Sequence, residues 1–217
     1  NLFDDNSTPH GSWEVVKAVE NEHKSGVGNA VIVGIDNGNA WRDSELTPKS
    51  IGEVQHLEML CEDFKPEGEI FDNFLMNTVI PYVENNFPVC TDRQNVAVCG
   101  SSSGGLMSFF SAFEHPEKFG YAGVFSPAFL CYTREDWAKY LSTKIVENMP
   151  YLYIYTGNGD ELEEMIFEST EMLYELLEES FYPYDRMNEV ILFENAHNEK
   201  SWREIFPDFL HTFLSRL

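Results

Sequence analysis

Residues 96–105 read Val-Ala-Val-Cys-Gly-Ser-Ser-Ser-Gly-Gly and place Ser102 at the centre of a Gly-x-Ser-x-Gly pattern. The apolar start of this stretch predicts a short buried strand, and the small residues after it predict a sharp turn into a helix. Such an elbow projects a serine Oγ from the carboxyl end of a sheet. We expect glycine at positions 100 and 104 because a Cβ would clash in so tight a bend. Ser102 is therefore the candidate nucleophile of a hydrolase or acyltransferase.

Short apolar runs alternate with segments of helical period along the rest of the chain. The predicted strands are Ala30–Ile35, Asn95–Cys99, Tyr121–Phe125, Tyr151–Tyr155 and Glu189–Phe193. The predicted helices cover residues 13–22, 71–79, 135–147, 162–177 and 202–214, with a kink or restart at Pro81. This alternation predicts an α/β fold with a mainly parallel sheet covered by helices on both faces. We expect a single domain over residues 1–217.

The composition excludes several classes of protein. The 217 residues are 43% hydrophobic, which excludes a disordered chain, and 37 acidic against 14 basic residues give a formal net charge of −23. Nucleic acid and anionic membrane surfaces repel such a charge, so neither is an expected partner. The chain shows no long apolar run and no signal-peptide pattern, which favours a cytoplasmic protein. The four cysteines lack metal-binding spacing, so no metal is expected.

A serine hydroxyl needs a base, and histidine is the side chain suited to that role. His197 is the one histidine of six that directly follows a predicted strand. A loop histidine is by default a solvated surface residue, but its place downstream of the elbow predicts a general base. His115 ends the helix after Ser102, where it is expected to complement the helix dipole.

The third member of a triad should be a carboxylate that orients the imidazole. In this chain order it should follow the preceding strand, in the loop 156–161, where Asp160 is the first choice and Glu161 the alternative. Both could instead be acids that favour the start of the next helix. The backbone amide of Ser103 is the expected oxyanion donor, and a second donor is expected from Asn1–Phe3 or from outside this sequence.

These motifs together resemble the family of α/β-hydrolases described as putative esterases, which includes esterase D, enterobactin-esterase-like proteins, and feruloyl and acetylxylan esterases. The resemblance covers nearly the whole chain. It is carried by the segments Asn1–Asp5, Gly34–Gly38 with Arg42, Glu45 and Pro48, Ile80–Val83, Gly100–Gly105, His115–Gly120, Phe125–Phe129, and Ala196–Glu199 with Trp202. Ser103 stands where the family usually has methionine.

The resemblance implies an α/β-hydrolase three-layer sandwich that acts without a cofactor. It implies Ser102 as nucleophile, His197 as base and Asp160 as acid. Arg42 and Ser126 correspond to loops that line the family's active-site mouth and are the predicted substrate-binding residues, although Arg42 could instead form a structural ion pair. Since the sequence begins where the family's third strand ends, we expect the domain to be N-terminally incomplete.

The predicted function is hydrolysis of carboxylic esters, including acyl groups on carbohydrates, through an acyl-serine intermediate. The substrate would be a small-molecule or carbohydrate ester. One alternative is an acyltransferase that uses the same triad with a sugar hydroxyl in place of water. The other is a non-catalytic binding domain that retains the fold.

Overall fold

The structure is a computed structural model that describes residues 2–6, 8–145 and 147–216. In this part of the chain four parallel strands form one sheet in the order β1-β2-β3-β4. The strands are β1 (Ala97–Ser102), β2 (Tyr121–Pro127), β3 (Tyr151–Thr156) and β4 (Met187–Ile191). All four match predicted runs, and the parallel sheet with intervening helices confirms the predicted α/β class.

The helices are α1 (Val15–Ser25), α2 (Arg42–Glu45), α3 (Gly68–Phe74), α4 (Ile80–Asn86), α5 (Ser103–Glu114), α6 (Arg134–Lys144), α7 (Glu161–Glu179) and α8 (Glu199–Ser215). A π-helical segment, Leu75–Val79, separates α3 from α4. Pro81 lies in the first turn of α4. The predicted kink or restart corresponds to the change from π-helix to α-helix at Ile80, which leaves Pro81 in a first turn, where its ring is tolerated. None of the described helices is both long and apolar enough to cross a membrane.

Two apolar cores lie on opposite faces of the sheet. On β2, Tyr121 and Phe125 belong to the core under α1 and α8, whereas Ala122 and Val124 belong to the core under α5, α6 and α7. Side chains alternate in the same way along β3. This alternation follows from the two-residue period of a strand, and it shows why the strands buried on both faces are almost wholly apolar.

The apolar stripe predicted on the last helix is confirmed. Its members are all buried against the sheet in α8: Trp202, Ile205, Phe206, Phe209, Leu210, Phe213 and Leu214. Their spacing of three and four residues places them on one face of the helix. The first of them contacts the candidate active site.

The predicted strand Ala30–Ile35 is wrong. This segment is irregular, and Val31 and Val33 remain 53% and 44% exposed. A strand requires a hydrogen-bonded neighbour, and in the described part of the chain β1 pairs with β2 alone. The run has the composition of a strand, but no strand among the described residues pairs with it.

Candidate active site

Ser102 lies at the strained junction between β1 and α5. Its backbone angles are φ 59° and ψ −126°, and α5 begins at the next residue. A non-glycine residue rarely adopts a positive φ, and such strain is concentrated at functional sites. The Ser102 side chain makes no capping hydrogen bond to α5. The elbow thus has the conformation that the Gly-x-Ser-x-Gly pattern predicted.

Two glycines permit the tight turn, and they are not the pair expected. A Cβ on Gly100 would lie 2.4 Å from the carbonyl oxygen of Gly104, and one on Gly105 would lie 2.8 Å from that of Phe125. A Cβ on Gly104 would meet nothing within 4 Å. The expectation that Gly104 is required to avoid a clash is therefore wrong. Close approach of backbone requires glycine at positions 100 and 105.

His197 lies between β4 and α8, where loop and helix together position its ring. Asn198 caps α8 by accepting hydrogen bonds from the amides of Lys200 and Ser201 at 3.0 and 3.4 Å. The His197 imidazole packs edge-on against the indole of Trp202, with the ring centroids 5.1 Å apart. The His197 side chain is 11% exposed. The imidazole is therefore held between a capped helix and an aromatic face.

The imidazole contacts a carboxylate that the sequence analysis did not select. Nδ1 of His197 lies 2.6 Å from Oε2 of Glu163, whose side chain is fully buried at 0% exposure. The other oxygen, Oε1, accepts hydrogen bonds from the Ser126 hydroxyl at 2.6 Å and from the Gly157 amide at 2.8 Å. Burying a carboxylate is costly unless it is paired and hydrogen-bonded, and these contacts satisfy that condition.

Asp160 was the first choice for this contact, and that prediction is wrong. Its Oδ1 accepts a hydrogen bond from the Glu163 amide at 2.8 Å, which caps α7, and its Oδ2 accepts one from the His197 amide at 2.7 Å. Asp160 therefore ties the two backbones together without contacting the imidazole. The alternative, Glu161, is exposed at the start of α7. Asp160 is the N-cap of α7 and Glu161 is its first residue, which agrees with the alternative that both acids favour the start of this helix.

One pattern in the sequence could have identified Glu163. The buried residues of α7 include Glu163, Ile166, Thr170, Leu173 and Leu177, which recur at intervals of three and four. Glu163 is thus a charged residue on the apolar stripe of an amphipathic helix. An acid is seldom fully buried unless it is paired. A buried acid on this stripe, in the first turn of the helix after β3, indicates the partner of the imidazole better than proximity to the strand end does.

Arg42 bridges the residues on either side of Ser102. Its guanidinium donates to the Ser103 hydroxyl at 3.2 Å and to the Ser101 carbonyl at 3.3 Å, and it lies 3.5 Å from Asp43 Oδ1. Burial lowers the pKa of Arg42, against the opposing fields of Asp43 and Glu199. The Ser103 hydroxyl in turn donates to Asp43 at 3.2 Å. The contact with Asp43 corresponds to the alternative role predicted for Arg42, that of a structural ion pair.

Ser126 does not lie at the mouth of the site. It is 0% exposed, and its hydroxyl accepts a hydrogen bond from the Trp202 indole at 2.9 Å while donating to Glu163. The prediction that Ser126 contacts substrate is therefore wrong. The second oxyanion donor was expected from Asn1–Phe3 or from outside this sequence. Of these residues, Asn1 lies outside the described part of the chain, and the side chains of Leu2 and Phe3 pack close to Gly34.

His115 has a different partner from the one expected. It does end α5, but its Nε2 lies 2.6 Å from Oδ2 of Asp72 on α3, and the Ser111 hydroxyl donates to Oδ1 of the same carboxylate at 2.6 Å. This cluster lies at the end of α5 opposite to Ser102. Among residues 2–6, 8–145 and 147–216, no group of three or more His, Cys, Asp or Glu side chains is placed to hold a metal ion.

The parallel sheet and the strained serine elbow define an α/β-hydrolase fold. The family model described as "Putative esterase" matches residues 10–213, and the chain belongs to that family. The predicted family membership is confirmed.

Several known proteins are similar to the chain. It is 32% identical over 107 residues, 49% of its length, to an endo-1,4-beta-xylanase/feruloyl esterase of Xylanibacter ruminicola, of which it covers 13%. Solved structures also share the fold, among them a siderophore hydrolase and an enterobactin esterase. The siderophore hydrolase EstA of Aspergillus nidulans has a TM-score of 0.68 at 17% identity, with 91% of this chain and 77% of that chain covered. The enterobactin esterase of Shigella flexneri has a TM-score of 0.67 at 16% identity, with 94% and 48% covered.

Proposed function

We propose that this chain is a serine esterase in which Ser102 attacks a carboxylic ester, His197 is the general base and Glu163 orients His197. The observation that carries the proposal is the pair formed by a fully buried carboxylate and a histidine, which follows a strand of the same parallel sheet whose β1 ends at the strained serine elbow. A carboxylate on Nδ1 selects the tautomer in which Nε2 is free to accept a proton. Membership of the esterase family supports the same reaction.

The placement of Ser102 and His197 on one edge of the sheet supports a shared site. Ser102 is the last residue of β1, and His197 lies in the loop that follows the carboxyl end of β4. The two regions are connected through β2, because Ser126, between the residues paired with Ser101 and Ser102, donates a hydrogen bond to Glu163, the partner of His197. Ligands bind at this edge in open parallel sheets.

The reaction would proceed in two halves. His197 Nε2 takes the proton of Ser102 Oγ as this oxygen bonds to the ester carbonyl carbon, and the Ser103 amide donates to the developing oxyanion. The protonated imidazole gives its proton to the departing alkoxide, which leaves an acyl-serine. Water then attacks the acyl group, with the same histidine as base, and releases the acid and the free serine. Glu163 stabilises the imidazolium in both halves.

The test combines activity and labelling. The wild-type chain should hydrolyse p-nitrophenyl acetate and react with a fluorophosphonate probe, whereas Ser102→Ala should do neither. Ser108→Ala is the matched control, since Ser108 is a buried serine on α5 whose hydroxyl donates to the Gly104 carbonyl of the same helix at 2.8 Å. Equal labelling of wild-type protein and Ser102→Ala would contradict the proposal. A folded wild-type chain without labelling would favour a binding domain.

We propose acyl groups on carbohydrates as the substrate class, on the similarity to the feruloyl esterase from Xylanibacter ruminicola. The test compares kcat/KM on feruloylated and acetylated xylo-oligosaccharides with that on simple alkyl esters of the same acids. Preference for the oligosaccharide esters would support the class. Equal values would contradict it, and acyl transfer to added sugar in preference to water would indicate an acyltransferase.

A further inference from the structure

Ser126 occupies an irregular position in the sheet, directly beside the elbow. Ser101 pairs with Phe125 and Ser102 pairs with Pro127, so Ser126 is the residue that the register passes over. Its φ is 39°, which is unusual for a non-glycine residue. An extra residue of this kind is a β-bulge, which redirects a side chain and commonly lies beside an active site. The bulge therefore places Ser126 on the strand next to Ser102 with its side chain re-aimed.

The re-aimed hydroxyl lies in a chain of hydrogen bonds that ends at the imidazole. The Trp202 indole donates to Ser126 Oγ at 2.9 Å, Ser126 Oγ donates to Glu163 Oε1 at 2.6 Å, and Glu163 Oε2 lies 2.6 Å from His197 Nδ1. The Trp202 side chain also packs edge-on against His197. Trp202 is 6% exposed, while Ser126 and Glu163 are 0% exposed. Water does not compete for these bonds, so each is stronger than at a surface.

Along this series of hydrogen bonds, each donor fixes the direction in which the next group can donate. A hydroxyl is free to rotate, but an indole N–H is a donor only, so Trp202 obliges the Ser126 proton to point elsewhere. That proton goes to Oε1 of Glu163, where the Gly157 amide also donates at 2.8 Å. With Oε1 held by two donors, the carboxylate plane is fixed and Oε2 is directed at the imidazole.

We propose that Ser126 is a positioning residue of the esterase site. Its bulged backbone, next to the strand that ends at Ser102, directs its hydroxyl to Glu163 and so holds the Glu163 carboxylate against His197. The inference rests on the proposed function of Ser102, His197 and Glu163. Ser126 acts through Glu163 and touches neither substrate nor reacting atoms. Trp202 supports the same arrangement by fixing the orientation of the Ser126 hydroxyl.

Two substitutions at position 126 separate the hydroxyl from the strained backbone. Ser126→Ala removes the hydroxyl and keeps the strain at φ 39°, whereas Ser126→Gly removes both. If the hydroxyl positions Glu163, both variants should lower kcat on p-nitrophenyl acetate roughly 10- to 100-fold with KM changed less than twofold, as expected for a misplaced catalytic group. Trp202→Phe keeps an aromatic ring on His197 and should lower kcat by a smaller factor.

A double substitution tests whether Ser126 acts through Glu163. In a Glu163→Gln background, Ser126→Ala should produce little further loss of kcat, because the group it positions has already been replaced. Ser169→Ala is the matched control, since Ser169 is buried on α7 and donates to the Ile166 carbonyl at 2.9 Å. This control should leave kcat unchanged. Full activity of Ser126→Gly, or a loss that multiplies with that of Glu163→Gln, would overturn the proposal.

A readout without turnover separates this inference from the proposed function. The His197 Nδ1–H proton, shared with a buried carboxylate, should give a strongly deshielded proton NMR resonance. That resonance should shift or broaden in Ser126→Ala and Ser126→Gly, and it should persist in Ser169→Ala and in Ser102→Ala. An unchanged resonance in both position-126 variants would overturn the inference even in an active enzyme. Activity retained by Ser102→Ala would instead overturn the proposed function.

Discussion

The Glu163 carboxylate meets the His197 imidazole at the carboxyl edge of the sheet, with 2.6 Å between Oε2 and Nδ1 across 34 positions of sequence. Glu163 comes from the first turn of α7 and His197 from the loop before α8. Asp160 fixes the same two elements by accepting hydrogen bonds from both backbones. One acid thus braces the loops while another contacts the ring. Because Asp160 contacts the backbones and Glu163 contacts the imidazole, substitutions can test the two carboxylates separately.

Replacing Glu163 should impair catalysis far more than replacing its neighbour on the same helix turn. Glu163→Gln removes the charge that would stabilise the imidazolium, so kcat should fall by roughly 10²- to 10⁴-fold. Glu161→Gln is the matched control, because Glu161 is exposed. Steady-state kinetics on p-nitrophenyl acetate measures both. A near-wild-type rate for Glu163→Gln, with a large loss in Asp160→Asn, would return the orienting role to Asp160.

Two glycines of the elbow should respond oppositely to alanine. In Gly100→Ala the new Cβ would lie 2.4 Å from the Gly104 carbonyl oxygen, so the turn must open, and the free energy of unfolding should fall by about 2 kcal/mol or more. In Gly104→Ala the Cβ meets open space on α5, so stability should be unchanged or rise by about 0.5 kcal/mol. Urea unfolding measures both. Comparable losses in the two variants would contradict this assignment.

His115 should make stability depend on pH through its bond to Asp72. That hydrogen bond, with the fields of Asp72, Glu117 and Glu114, raises the pKa of His115 despite an opposing effect of burial. Folding therefore favours the protonated imidazole. Its contribution is fully present below the unfolded pKa of about 6.5 and is lost as the pH rises through the higher folded value.

The variant His115→Gln should accordingly lose more stability at pH 5.5 than at pH 9. Urea unfolding at the two pH values measures this, with the exposed His23→Gln on α1 as control. An equal loss at both pH values would show that Asp72 does not favour the charged imidazole.

Glu189 on β4 should also make stability fall as the pH rises, in a range that extends to about 7. Burial, with a hydrogen bond to Glu171 and the charges of Glu171 and Glu178, raises the pKa of Glu189 to about 7. The folded state therefore binds this proton more tightly than the unfolded state does. The resulting stabilisation is present below the unfolded pKa of about 4.3 and is lost as the pH rises through 7.

Glu189→Gln removes the charge that is poorly tolerated above this range. The variant should be more stable than wild type at pH 8, by about 1 kcal/mol once solvent screening of this half-exposed group is allowed for. At pH 5 the two proteins should differ little. Thermal unfolding at both pH values measures the effect, and Glu168→Gln, an exposed site on α7, is the control. A destabilised variant at pH 8 would contradict the prediction.

The sequence pattern predicted the sheet and the long helices because their determinants are local. The continuous apolar run in Tyr151–Thr156 and the spacing of apolar residues in α8 are properties of neighbouring positions. The segment at residues 30–35 has equally apolar composition but is irregular. Strand composition describes a preference, whereas strand formation needs a partner elsewhere in the chain.

By itself the sequence determined that Ser102 lies in an elbow and that His197 follows a later parallel strand. Both results depend on the order of elements, which places strand ends on one edge of the sheet. Tertiary structure alone decided which carboxylate reaches the imidazole and where the Ser126 hydroxyl points. Glu163 and Asp160 are only three residues apart, so sequence position does not distinguish them. The contact of Glu163 with the imidazole depends on the α7 cap, the bulge at Ser126 and the packing of Trp202. Those contacts join distant segments, so the α7 pattern marks Glu163 as a buried acid but does not show that it contacts His197.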